Sequence, residues 1–169
     1  MFAVDYATPL IPWTFIIYLS DYLMVPLIVY LTDNKEEFQA LCRMCFATLV
    51  VCGLIFVFYP TRYPRPPYPA VQSTFVAALM NLIAVADTPN NCFPSMHVAI
   101  TGIATWSVRH RSPRVFLLFS LWAIAICVST LTTKQHYLLD IGGGLFVVMA
   151  VALVEHLLFE RRSLRRQVI

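Results

Sequence analysis

Eight consecutive residues, Thr133-Lys134-Gln135-His136-Tyr137-Leu138-Leu139-Asp140, hold a cation, an imidazole and a carboxylate in a chain that otherwise avoids polar groups. His136 and Asp140 are four apart, so on a helix they share one face. Ionisable groups at the edge of an apolar helix are costly and by default mark a working site. A second motif, Cys92-Phe93-Pro94-Ser95-Met96-His97, adds a hydroxyl and another imidazole. A proline-rich stretch adds Arg62 and Arg65. Cations with a hydroxyl bind a dianionic phosphate. Ser95 precedes an expected helix start, whose backbone N–H groups add an anion site. Two histidines permit a two-step displacement: one attacks phosphorus to form a phosphohistidine, while the other protonates the departing alkoxide and then deprotonates water. Asp140, one turn beyond His136, is placed to hold the imidazole tautomer that leaves the attacking nitrogen free. Cations then stabilise the charge on the equatorial oxygens, so the chemistry needs no metal and no other cofactor.

The elements that must position these groups are membrane helices. Only 12% of the 169 residues are charged and 59% are hydrophobic, where a soluble domain carries roughly 25% charged residues. The mean hydropathy is +0.72. These values predict an all-α, polytopic membrane bundle of about five transmembrane helices plus one short interfacial or re-entrant helix, in a single membrane-embedded domain over residues 1–169. The expected spans are residues 9–31, 41–59, a third opened by Cys92–His97 and running to about 108, then 115–132 and 136–159. Residues 32–40 form a polar link, with Asp33 as the expected cap of the following helix. Five prolines from Pro60 to Pro69 exclude a regular helix there. Residues 70–86 are apolar but short for a span, and are the expected interfacial or re-entrant helix, placed to form part of a lateral gate. Asp21 lies within the first span. It is either a neutral, hydrogen-bonded structural acid, or it faces the bundle interior and pairs with a cation or hydroxyl. Five cysteines form no disulfide framework, and Cys42, Cys45, Cys52 and Cys127 read as small hydrophobes in apolar runs. The first apolar run is too long for a cleavable signal and is expected to remain as a membrane helix.

Charge sets the orientation. With the N-terminus outside and five alternating spans, the inner segments carry Lys35, Arg43, Arg109, Arg111, Arg114, Arg161, Arg162, Arg165 and Arg166, nine of the twelve basic residues. The outer side then gathers Arg62, Arg65, Ser95, His97, Lys134, His136 and Asp140 from three separate parts of the chain. This places the site on the outer face and the C-terminus in the cytoplasm; a bacterial inner membrane, with the site toward the periplasm or cell exterior, is the expected location. The net charge of +3 needs no nucleic-acid partner; topology and anionic lipid heads account for the basic tail.

Arg65-Pro66, Pro94-Ser95-Met96-His97 and Ser129-Thr130-x5-His136-x3-Asp140 resemble, in order, the three motifs of the type 2 phosphatidic acid phosphatase superfamily: Lys-x6-Arg-Pro, Pro-Ser-x-His and Ser-Arg-x5-His-x3-Asp. The resemblance covers roughly residues 58–145. It implies that His136 is the nucleophile, Asp140 its partner, His97 the acid/base, and Arg65 and Ser95 phosphate ligands. Two cations of the pattern are replaced, by Phe58 and Thr130; Lys134 and Arg62 are the expected substitutes. The implied activity is hydrolysis of a lipid phosphate or an isoprenoid or lipid diphosphate. A lipid phosphotransferase, passing the group to a lipid or polyol hydroxyl, and a non-enzymatic anionic-lipid binding or transport protein are the rival readings. A zinc site on His136, Asp140 and His97 is a further one, opposed by the adjacent cations.

Overall fold

The computed structural model describes residues 1–167, with side chains through residue 158. It comprises α1 (Ala3–Ala7), α2 (Thr14–Leu19), α3 (Asp21–Leu31), α4 (Lys35–Phe58), α5 (Thr74–Ala86), α6 (Met96–Ser107), α7 (Pro113–Thr132) and α8 (Leu138–Gln167). Among the described residues the pairing outside helices is an isolated bridge between Arg62 and Asn90. The side chains of the basic tail, Arg161, Arg162, Arg165 and Arg166, lie outside the described residues.

Among the described residues four segments are long and apolar enough to cross a membrane: Thr14–Leu31, which is α2 and α3 joined at Ser20, then Lys35–Phe58, Pro113–Thr132 and Leu138–Leu158. The expected third span is the exception. Helix α6 has 12 residues, about 18 Å at 1.5 Å per residue, against a hydrocarbon core of about 30 Å. The reason is its position. Val98, Ala99, Thr101, Ile103, Ala104 and Thr105 are all buried, so α6 runs through the bundle interior against α3, α4, α7 and α8. A helix sheathed by others has no need to match the lipid thickness.

The helix ends follow local chemistry. Ser95 caps α6, its side chain accepting from the Val98 N–H, and Ser112 caps α7 with Pro113 in the first turn. Asn34, not Asp33, caps α4 by accepting from Glu37 N–H at 2.8 Å. Asp33 is instead 3.0 Å from Arg111, which also pairs with Glu37. These contacts and the Arg43–Glu155 pair tie the end of the bundle opposite the histidines. Helix α5 is short, as expected, and starts at Thr74. Its Val76, Met80 and Ile83 pack on Phe15 and Tyr18 of α2.

The glycines beyond Asp140 let α8 approach the second motif. A β-carbon on Gly143 would lie 2.5 Å from the Phe93 ring, and one on Gly144 would lie 2.7 Å from the Ser95 carbonyl oxygen. The Ser95 N–H donates to the Asp140 carbonyl at 3.0 Å across the same seam. Backbone cannot swing aside as a long side chain can. Gly144→Ala is therefore expected to cost about 1–3 kcal/mol, read as a lower unfolding temperature of the detergent-solubilised protein.

Candidate active site

Helix α7 ends in a tight turn that presents the nucleophile candidate. Lys134 takes a left-handed backbone, φ 59°, and the N–H groups of Gln135 and His136 both donate to the Thr130 carbonyl, at 3.0 and 3.1 Å. Thr130 stands where the motif has arginine. It anchors this turn through its carbonyl, while its hydroxyl donates to Cys127 O. His136 Nδ1 is 3.0 Å from the Cys92 carbonyl oxygen. A carbonyl only accepts, so Nδ1 carries the proton and Nε2 keeps its lone pair. Asp140 is fully buried; its Oδ2 accepts from Tyr137 N–H at 2.9 Å and lies 3.6 Å from His136 Nδ1. The hydrogen bond that selects the tautomer is thus the one His136 Nδ1 donates to the Cys92 carbonyl, with Asp140 close behind and pinning the turn. Burial moves the His136 pKa below its ordinary value, with Asp140 opposing and losing.

The second imidazole sits opposite. His97, in the first turn of α6, has its ring centroid 5.7 Å from that of His136. Its Nδ1 meets the Asp21 carboxylate. Its Nε2 is 2.5 Å from the Tyr18 hydroxyl and 3.8 Å from Asp87. Tyr18 in turn donates to Asp87 at 2.6 Å. An imidazole held between two carboxylates is suited to its protonated form. Asp87 is pushed up by burial, but hydrogen bonds from His97 and Tyr18 and the nearby Arg65 outweigh this and bring it to about 2. Asp21, Asp87, His97 and His136 line one cavity of about 380 Å³, whose other walls include Tyr22, Val25, Met96 and Ile100. No residue of α5 lines it.

Of the two readings of Asp21, the structure has the one in which it faces inward, with His97 as its partner. Tyr18, Asp87 and the Cys92 carbonyl were not anticipated. Tyr18 has a legible signal, lying three residues before Asp21, while Asp87 stands in a run of turn formers, Asp87-Thr88-Pro89-Asn90-Asn91, and a carbonyl carries no signal at all. The remaining candidates gather at the same end of the bundle but differ in access. Arg65 donates to the Asp87 and Thr88 carbonyls and lies 3.6 Å from the Asp87 carboxylate; it borders the cavity through Asp87. Arg62 is exposed and, with Arg65, lines a separate open cleft of about 550 Å³. Ser95 is fully buried, with its hydroxyl in the cap. Tyr137 donates to Pro64 O, fastening the arginine segment to the turn. Among the described residues no group of three His, Cys, Asp or Glu side chains is placed to hold a metal ion.

Lys134 is the clear departure. Its ammonium is buried and donates to the Asp5 carbonyl of α1 at 2.8 Å, while the Asp5 carboxylate accepts from Leu138 N–H. It braces the turn against the N-terminus and does not line the cavity. The left-handed backbone at Lys134 sends its side chain away from that of His136, which residue spacing alone does not reveal. Lys134→Ala is expected to lower the unfolding temperature and kcat while leaving KM within about threefold; a KM raised tenfold or more would return Lys134 to the phosphate.

Comparison with curated proteins and with solved structures gives no match. The sequence profile of the PAP2 superfamily matches residues 4–154, from α1 through most of α8. That range includes every side chain of the paired-histidine cavity, three of the four membrane-length segments and most of the fourth, and membership carries with it phosphatase-type chemistry. By this match, nearly the length of the described chain, the protein belongs to the PAP2 superfamily.

Proposed function

We propose that the protein is a metal-independent membrane phosphatase that hydrolyses a lipid phosphate, or an isoprenoid or lipid diphosphate, through a phosphohistidine on His136. The observation that carries this reading is the paired imidazoles, 5.7 Å apart, each with Nδ1 engaged from behind. His136 Nε2 attacks phosphorus as the bond to the leaving oxygen breaks, and His97 Nε2 gives that oxygen its proton. Water then attacks the phosphohistidine. His97 takes the water's proton, the N–P bond breaks, phosphate leaves and both rings return to their starting states. The α6 N-terminus, whose Met96 and His97 line the cavity, favours the anion. Arg65, Ser95 and Arg62 remain the phosphate-side candidates, Arg65 by way of the Asp87 turn.

Apolar walls from Tyr22, Val25, Met96 and Ile100 support a lipid tail lying along α3 and α6. The short α5 contributes Asp87 at its C-terminal end rather than a gate wall. The partition of basic residues supports a single membrane domain with the site at the outer face and the C-terminus in the cytoplasm, in a bacterial inner membrane. The test is phosphate release by purified protein in detergent from a panel of lipid phosphates, with and without chelator. Release without any added acceptor alcohol, unchanged by chelator, is expected. Turnover only with an acceptor lipid or polyol would mean a phosphotransferase, and chelator-sensitive turnover would sink the metal-free route.

A further inference from the structure

His97 is addressed from every side by groups on elements remote in sequence. Asp21 and Tyr22 come from α3, Tyr18 from α2, Asp87 from the turn after α5, and His136 from the turn before α8. The contacts form one directional chain. The ring N–H at Nδ1 donates to Asp21, the N–H at Nε2 donates to the Tyr18 oxygen, and the Tyr18 O–H donates to Asp87, which faces Arg65. Every donor has an acceptor when His97 carries both protons. Asp21 is attached only to the far nitrogen, whereas Tyr18 and Asp87 meet the nitrogen that faces the phosphate chemistry. Asp21 Oδ1 is buried without a hydrogen-bond partner, so Asp21's link to the rest of this chain runs through His97.

We propose that Asp21 is the positioning residue of the acid/base, fixing the His97 ring through Nδ1 so that Nε2 alone delivers and recovers the proton. This rests on the reading of His97 as acid/base. The Tyr18 hydroxyl occupies the place at Nε2 that the leaving oxygen takes in the first step and the attacking water in the second. When the leaving oxygen receives the Nε2 proton, the ring becomes neutral and keeps its Nδ1–H on Asp21; when water is deprotonated, the proton returns to Nε2. Asp21 therefore gains and loses no proton. Its contribution is orientation and a fixed negative charge behind the ring, and it should matter in proportion to how much the leaving oxygen needs a proton.

The experiment compares two leaving groups, dioctanoyl phosphatidic acid and p-nitrophenyl phosphate, on the full chain in detergent. Asp21→Asn keeps the shape and removes the charge. It is expected to lower kcat for phosphatidic acid about 100-fold with KM within about threefold, while the first-turnover burst of p-nitrophenolate, which departs without a proton, stays within about threefold of wild type. Asp21→Glu should recover part of the phosphatidic acid rate. In a His97→Ala background, Asp21→Asn should cost nothing further. Equal losses with both leaving groups, a further loss in the His97→Ala background, or an unchanged phosphatidic acid rate each overturn the assignment. If Asp21→Asn does not accumulate in the membrane, Asp21→Glu carries the same comparison, with the phosphatidic acid rate lowered and the burst kept. A His97→Ala variant with wild-type turnover would overturn the function reading itself, whereas a disabled His97→Ala beside a fully active Asp21→Asn overturns only the role of Asp21.

Discussion

Substituting His136 by alanine is expected to remove turnover by a factor on the order of 10⁶, to the assay background, as loss of a covalent nucleophile does. No other group on the cavity is offered for attack in the same way. His97 has its far nitrogen on Asp21 and its near nitrogen between Tyr18 and Asp87, whereas His136 is bonded only through Nδ1, to a carbonyl that fixes its tautomer. The wild type, quenched during turnover of a ³²P-labelled lipid phosphate, should carry acid-labile, base-stable label that the variant lacks. A labelled His136→Ala protein, or one with residual turnover above about 1% of wild type, would show that the nucleophile lies elsewhere. The pH profile provides a second reading. The nucleophile works as the neutral ring, which prevails above its pKa. Since burial lowers that pKa, the acid limb of kcat/KM should fall at a pH below the ordinary imidazole midpoint of about 6.5. A limb at or above that value would contradict a buried, neutral His136.

The second large effect is expected at His97. In the proposed mechanism His97 protonates the leaving alkoxide and then activates water, so with His97→Ala turnover of an alkyl phosphate should fall by about 10²- to 10⁴-fold. The loss should differ in kind from that at His136. With an aryl phosphate, whose leaving group needs no proton, His136 can still be phosphorylated. Hydrolysis of the phosphohistidine then lacks its base, and labelled enzyme should accumulate toward one phosphate per chain. Quenched-flow labelling separates the outcomes: label that builds up supports the division of labour between the two rings, while a variant that cannot be labelled by either substrate would assign His97 to phosphate binding instead. The cavity of about 380 Å³ is bordered by both rings, so removing one side chain leaves the other in place for this comparison.

The apolar runs and the basic-residue partition made a polytopic helical membrane protein legible, because both depend on composition and on lipid as the solvent. The three motifs, with their order and spacing, made the family legible. Residues that partition to one side did gather at one end of the bundle, and Ser95 does cap α6. The span count was less legible. Helix α6 looks like a span because it is apolar, but its 12 residues are packed among other helices and it is not one of the four segments of membrane length, so apolarity alone does not give the number of crossings. Hydropathy does not distinguish a lipid-facing residue from a core residue when both are Ile or Ala.

What the sequence by itself determined is therefore the class of protein and the stretches whose two histidines and carboxylate come together at one end of the bundle. What only the tertiary structure decided is how each is held. Asp21 meets His97 across 76 positions, and Tyr18 meets Asp87 across 69. Such pairings leave no periodic trace, because they are set by how α2, α3 and α6 pack. The acceptor on His136 is a backbone carbonyl, which every residue type possesses, so no residue identity could have announced Cys92. Lys134 lies two residues from His136, but a left-handed turn directs its ammonium to Asp5 of α1. Proximity along the chain identified the stretch; backbone geometry determined which of its side chains reach the cavity.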